Sequence, residues 1–249
     1  MFSNRLLLAL ALWLGLTTGA FAGIGTCTDL GHNQASTGVS ALTITTTAAI
    51  VAGDLVCVDH YAASTTGTIS GTGSDGTNTA YAVVATSGAG ATVYELACTY
   101  NALAVSSGAS LTFNFSGGTG IRHGISAFQV SGIMASNAID GKGTVQSSAA
   151  TTLAPAIAAL KAPNELVVLT YNSATTPTTW TLPGGWTQVG GNTATAFALP
   201  ACGTVSSTAA ATYTSSWTGS NNVRASVATF EGVTQPVTSG SRNLLGIGQ

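Results

Sequence analysis

From residue 39 to residue 233 the chain alternates between short apolar-polar stretches and turns of Gly, Ser and Asn. Residues 39–47 put Leu42 and Ile44 on one face and Thr43 and Thr45 on the other, and that period of two predicts a half-buried strand. Gly53 then opens an apolar run through Leu55, Val56, Cys57 and Val58 to Asp59 and His60. A turn-rich segment with Ser74-Asp75-Gly76 follows, and Gly there tolerates positive φ. Further strands are predicted over 80–86, over 92–100 with Tyr94, Leu96 and Cys98 on one face, around Leu111, Phe113 and Phe115, and over 124–130. No stretch carries a helical period.

The second half repeats the landmarks of the first. Gly53-Asp54-Leu55-Val56 recurs as Asn164-Glu165-Leu166-Val167, and Leu42 falls on Leu153, Cys57 on Val168 and His60 on Tyr171. Later, Val105-Ser106-Ser107 falls on Val205-Ser206-Ser207, Arg122 on Arg224 and Phe128 on Phe230. Matches in Thr, Ser and Gly carry no weight in this composition. The acid before Leu-Val, the Arg and the Phe are rarer and suggest a duplication. The implied organisation is a leader over 1–22, a loop segment over 23–38, repeats over 39–133 and 150–233, a linker over 134–149 and a tail over 234–249 that either frays or docks as a strand. Six or seven short strands per repeat, spaced by turns, predict an all-β chain. Two architectures satisfy this: one jelly-roll-like sandwich in which the repeats interleave about a pseudo-twofold axis, or two tandem immunoglobulin-like sandwiches.

Composition narrows the setting. Only 6% of residues are charged, with 6 Lys and Arg against 8 Asp and Glu, where about 25% is usual. No basic patch is present to bind nucleic acid, and Thr, Ser, Gly and Asn solvate the surface. At the N-terminus Arg5 precedes an apolar run over 6–16 and then Ala20-Phe21-Ala22, the pattern of a secretory signal peptide cleaved before Gly23. That run is shorter than the roughly 20 residues a membrane-crossing helix needs, so no membrane is expected for the mature form. The expected location is secreted, extracellular or cell-surface, with the periplasm as a variant.

Cys27, Cys57, Cys98 and Cys202 in an exported chain imply two disulfides with three connectivities. Cys98 and Cys202 fall at nearly corresponding places before the paired Val-Ser-Ser. Twinned residues meet only near a pseudo-twofold axis, so Cys98–Cys202 with Cys27–Cys57 is the favoured arrangement. The cysteines lack CxxC spacing and the histidines are scattered, so no metal or cofactor is expected.

No catalytic constellation emerges. Asp54 and Glu165 are twinned, which fits a structural role at the strand start, either accepting backbone amides or pairing with Arg122 and Arg224. Asp59 and His60 are strand neighbours and point to opposite faces. Arg122 beside His123 disfavours an imidazolium. No Gly-x-Ser-x-Gly is present, and the three carboxylates of the second repeat and its linker, Asp140, Glu165 and Glu231, are a thin supply for a glycosidase pair. Aromatic residues are the better clue to binding. Trp186 caps a core after Gly184-Gly185, while Trp180 and Trp217, with Asn221 and Asn222 in the apparent loop 215–222, form a candidate glycan platform. Asn114-Phe115-Ser116 matches the glycosylation pattern.

Asn164-Glu165-Leu166-Val167-Val168, Gly184-Gly185-Trp186-Thr187 and Phe230-Glu231-Gly232-Val233, in that order, resemble the duplicated β-sandwich modules of bacterial secreted proteins and phage structural proteins. The first repeat departs from this pattern, with Thr77 near the place of Trp186. The resemblance implies a jelly-roll-like scaffold serving display or adhesion. The expected function is therefore a non-enzymatic structural or adhesive part of a cell surface, fibre or virion, its partners glycans, surface proteins or further copies of itself. A carbohydrate-binding module and a pilin-like polymerising subunit are the alternatives.

Overall fold

A computed structural model describes residues 23–35, 39–63, 70–74, 76–78, 81–87, 92–116, 122–173, 180–190 and 198–233. The expected leader over 1–22 and the tail over 234–249 lie outside these residues. Among the described residues sixteen strands are formed: β1 Thr28–Ala35, β2 Ala41–Thr45, β3 Leu55–Ala63, β4 Ser70–Ser74, β5 Ala82–Ser87, β6 Thr92–Thr99, β7 Ser110–Ser116, β8 Arg122–Val130, β9 Ile139–Leu153, β10 Ala156–Ile157, β11 Glu165–Ser173, β12 Trp180–Thr181, β13 Thr187–Gln188, β14 Ala198–Val205, β15 Ala211–Thr212 and β16 Ser215–Phe230. All pairings are antiparallel, and no helix occurs among the described residues. The chain is all-β and sandwich-like, as its pattern predicts.

Four sheets stack in layers. The first half forms a large sheet, β1-β8-β3-β6-β5, and a small one, β2-β7-β4. The second half forms β9-β16-β11-β14-β13, with β12 also on β16, and the small pair β10-β15. Each label in the second large sheet is the corresponding first label plus eight. Within the first half, alternating β1-β8-β3-β6 opposite β2-β7-β4 is the strand order of a jelly roll. Among the described residues no strand of one half joins a sheet of the other, and only the isolated Ile133–Gly232 bridge links them, so the halves do not interleave into one sandwich. Nor do they sit apart, because the two large sheets lie face to face.

Three large apolar clusters hold these layers, with a small fourth of Tyr61, Tyr94 and Ala198. Leu42, Ile44, Val56, Val58, Leu111, Phe113, Ile125 and Ala127 fill the space between the first half's sheets. Leu55, Cys57, Leu96, Cys98, Phe128 and Val130 of the first half meet Leu166, Val168, Cys202, Ala228 and Phe230 of the second. Val167, Leu169, Tyr171, Val227, Tyr213 and Trp217 fill the outer side of the second large sheet. The strands β3 and β11 are thus covered on both faces, which explains their near-continuous apolar runs.

The doubled phrase has a backbone cause. Gly53 has φ 91° and Asn164 has φ 62°, so both chains turn through the left-handed region just before the acid. Gly and Asn are the residue types that do so at least cost. From there the registers agree: Cys57 lies opposite Cys98, and Val168 opposite Cys202. The later matches slip by two residues. Leu55 pairs with Val130 where Leu166 pairs with Phe230, so Phe230 occupies the register of Val130, not Phe128. A slip of two keeps each side chain on its face.

Three expectations are corrected. The segment 23–38 carries strand β1, paired with β8, and the linker 134–149 already contains much of β9, paired with β16. Polar sequences hid both, because β1 and β9 are edge strands. The disulfides are Cys27–Cys202 and Cys57–Cys98, not Cys98–Cys202. Cys98 and Cys202 do share one interface, but Cys57 sits directly across the β3–β6 ladder from Cys98, and strand register decides the bond. Two disulfides indicate a non-reducing compartment.

Candidate functional site

Ionisable side chains gather at three places, each fixed by strand register. At the start of β11, Glu165 is completely buried. Asp140 of β9 lies beside it, its carboxylate held by the Lys161 backbone N–H and by Lys161 Nζ at 2.9 Å. Glu231 lies 3.5 Å from the same ammonium. Thr229 Oγ1 accepts the Gly141 N–H at 2.7 Å, joining β9 to β16. Burial, followed by the neighbouring Asp140 carboxyl, pushes Glu165 up to about 7. Burial also acts to raise Asp140, but the bonds from Lys161 outweigh it and hold this carboxyl below its usual value. Near neutrality the cluster thus holds a charged Asp140 beside a Glu165 that is about half protonated. An acid of that poise suits general catalysis, yet Glu165 has no exposed surface and the Asp140 side chain is only 3% exposed.

The expected Glu165–Arg224 pair does not form. Glu165 begins β11, whereas Arg224 pairs in register with Asn172, seven residues further along and therefore roughly 24 Å away. The Arg224 guanidinium lies instead over the Tyr94 ring, 4.9 Å from its centroid. Arg122 pairs with Ala63, at the far end of β3 from Asp54. Burial raises Asp54 as well.

Inside the first sandwich, neighbouring strands present Glu95, His60 and His123 in a row. His60 Nδ1 lies 3.6 Å from Glu95 Oε2, and the two imidazoles are parallel with centroids 6.5 Å apart. Both histidines are buried. Burial, then the neighbouring His60, pushes His123 down to about 4. Among the described residues no group of three or more such side chains is placed to hold a metal ion.

Between the two large sheets, Asn172 Nδ2 donates to Asp59 Oδ1 at 3.2 Å, and Thr170 and Ser226 hydroxyls bond at 2.5 Å. Asp59 and His60 point to opposite faces, as strand geometry requires. Gly190 closes this region: with φ 65° it brings the second half's chain so near that a Cβ would stand 2.8 Å from Asp29 Oδ1.

Trp217 belongs to the core, and Trp180 and Trp186 pack against it partly buried. Trp217 is 4% exposed and pairs across strands with Trp180, their rings 5.3 Å apart, with Tyr171 5.0 Å from Trp180. Tyr171 Oη accepts the Ser215 hydroxyl at 2.6 Å. Trp180 is half-buried. Residues 215–222 belong to β16 rather than to a loop, and no solvent-facing platform is made by Trp217. The side chains of Asn221 and Asn222 lie outside the described residues; their backbone runs beside β9 with irregular register. Trp186 does cap the core, edge-on to Tyr213 at 5.2 Å, over Gly203, where a Cβ would meet its ring at 2.8 Å. Asn114 is exposed on β7.

Among the described residues, grooves of about 320 Å³ lie between β5 and β9 at Val84 and Gly143, and beside the Cys27–Cys202 bond at Leu166 and Thr187. Lys142 is the one charged side chain lining either. The sequence signal for the buried clusters was a polar residue inside an apolar strand run, as at Asp59 and Asn172. Compared with known proteins, the chain matches no family model and no curated sequence.

Proposed function

We propose that this chain is an exported, non-enzymatic structural or adhesive module, internally duplicated, of a cell-surface, fibre or virion assembly. The observation that carries this is the Cys27–Cys202 bond, which ties the first half's leading segment to the second half's large sheet across a shared apolar core. A bond between residues 175 apart in sequence limits the unfolded ensemble by about 5 kcal/mol in the chain-entropy treatment. Such cross-linking suits a body that keeps its shape outside the cell. Burial of the ionisable groups supports the same conclusion, since charge is spent between layers and not displayed around a cleft. The outward face of the small first sheet is uncharged, with exposed Thr43, Thr45 and Asn114 and a Thr43–Thr112 hydroxyl contact at 2.9 Å, a surface suited to contacts insensitive to salt. The resemblance to duplicated modules of secreted and phage structural proteins points the same way.

Sedimentation and negative-stain imaging of residues 23–249 at rising concentration test this. Ordered multimers, or saturable binding to a surface preparation, are expected. A strictly monomeric chain that binds neither itself nor a surface partner refutes the proposal.

A further inference from the structure

Asp59 lies at the centre of β3 on the face toward the second half and has no exposed surface. Its Oδ1 accepts from Asn172 Nδ2, but its Oδ2 has no hydrogen-bond partner, and neither has Asn172 Oδ1. Both orphaned atoms are acceptors on two planar groups already joined by one bond. Buried acceptors without donors are costly, and one proton on Oδ2 would satisfy both. We infer that folded Asp59 carries that proton and that the Asp59–Asn172 acid–amide pair clamps the two halves together, a clamp that loosens as the solution becomes alkaline. The inference rests on the stacked fold and is independent of the proposed function.

The surroundings favour a neutral acid. On the face around Asp59, β3 contributes Tyr61, β6 Tyr94, and β8 Ser126, directly opposite Asp59. From the second half, β11 contributes Thr170 and Asn172, β14 the backbone of Leu199, and β16 Ser226 and Arg224. The guanidinium of Arg224 is engaged at the Tyr94 ring. Asp29 of β1 accepts the Gly31 N–H at 2.8 Å and lies beside Gly190. Glu95, His60 and His123 face the opposite side of the sheet. No Lys or Arg among the described residues forms an ion pair with Asp59. Burial accordingly pushes its carboxyl up to about 8, while the Asn172 bond and the nearby backbone of Leu199 and His60, neither of which bonds Oδ2, act the other way.

The sign follows from proton binding. Between the ordinary carboxylate range and about 8 the folded chain holds a proton at Asp59 that the unfolded chain releases, so stability falls as pH rises through that window and levels off above it. The Cys27–Cys202 bond keeps the halves attached when the clamp weakens.

The test is the carboxyl 13C resonance of Asp59 in the oxidised protein, assigned by its absence in Asp59→Asn and followed from pH 4 to 10, together with urea unfolding across the same range. A midpoint near 8 is expected, and Asp59→Asn should remove an increase in the unfolding constant of about tenfold per pH unit. A midpoint below 5, or a pH slope identical in wild type and Asp59→Asn, overturns the inference. If the variant does not fold, the wild-type resonance, assigned through its bond correlations, decides alone.

Discussion

Glu165→Gln should stabilise the protein at pH 8 and leave it nearly unchanged at pH 4. Glu165 moves from an ordinary value of 4.5 to about 7 on folding, so the folded chain holds a proton there that the unfolded chain has lost. The stability tied to this group is present below 4.5, declines as pH rises toward 7, and is fully lost above. Two and a half units at about 1.4 kcal/mol each give an upper bound of about 3 kcal/mol. Glutamine is isosteric with the protonated acid and cannot ionise. Comparing variant with wild type at each pH cancels Asp59 and His123, which both proteins share. Urea unfolding with disulfides intact is the assay. For a chain of this size, with a slope near 3 kcal/mol per molar, the midpoint should rise by about 1 M at pH 8. An equal shift at both pH values, or destabilisation at pH 8, would refute a buried, proton-bearing Glu165.

Non-reducing peptide mapping should link Cys27 to Cys202 and Cys57 to Cys98; a Cys98–Cys202 peptide would overturn the strand register at the centre of the stack. Gly190→Val places a branched side chain against Asp29 and Ser126 at positive φ, and a loss of about 2 kcal/mol or more in thermal or urea unfolding is expected, whereas an unchanged midpoint would mean that the halves do not approach there. Trp217→Ala empties a site that is 4% exposed and should cost about 3–5 kcal/mol, read as a lower melting temperature; full stability in this variant would return Trp217 to the surface.

Much of the fold was legible because half-buried strands announce their period. β2 and β7 show it plainly: Leu42 and Ile44, Leu111 and Phe113 face one way, with Thr between. The edge strands β1 and β9 were illegible for the converse reason. They carry Gly, Asn, Gln, Ser and Thr along most of their length, and their pairing is set by the strand beside them, not by their own pattern. Disulfide connectivity failed at the same level. It depends on which residue of β6 stands opposite Cys57, a register that turn geometry and packing fix together and that neither cysteine's sequence context reveals.

The central strands held information that a single-face rule misses. Leu55-Val56-Cys57-Val58 and Leu166-Val167-Val168-Leu169 are apolar at every position, and a strand inside a two-layer sandwich with a wet outer face has no need of that. Continuous apolarity implies cover on both sides, so the two runs together imply two sheets packed against each other with further layers outside. On that premise Asp59, Thr170 and Asn172 cease to be ordinary polar alternations. They lie in dry strands, where an unpaired polar group is expensive, and each must find a partner across or along the interface. Thr170 finds Ser226 and Asn172 finds Asp59. The twinned acids at Asp54 and Glu165 mark where these strands begin; the polar residues further along show where the halves must meet in one register.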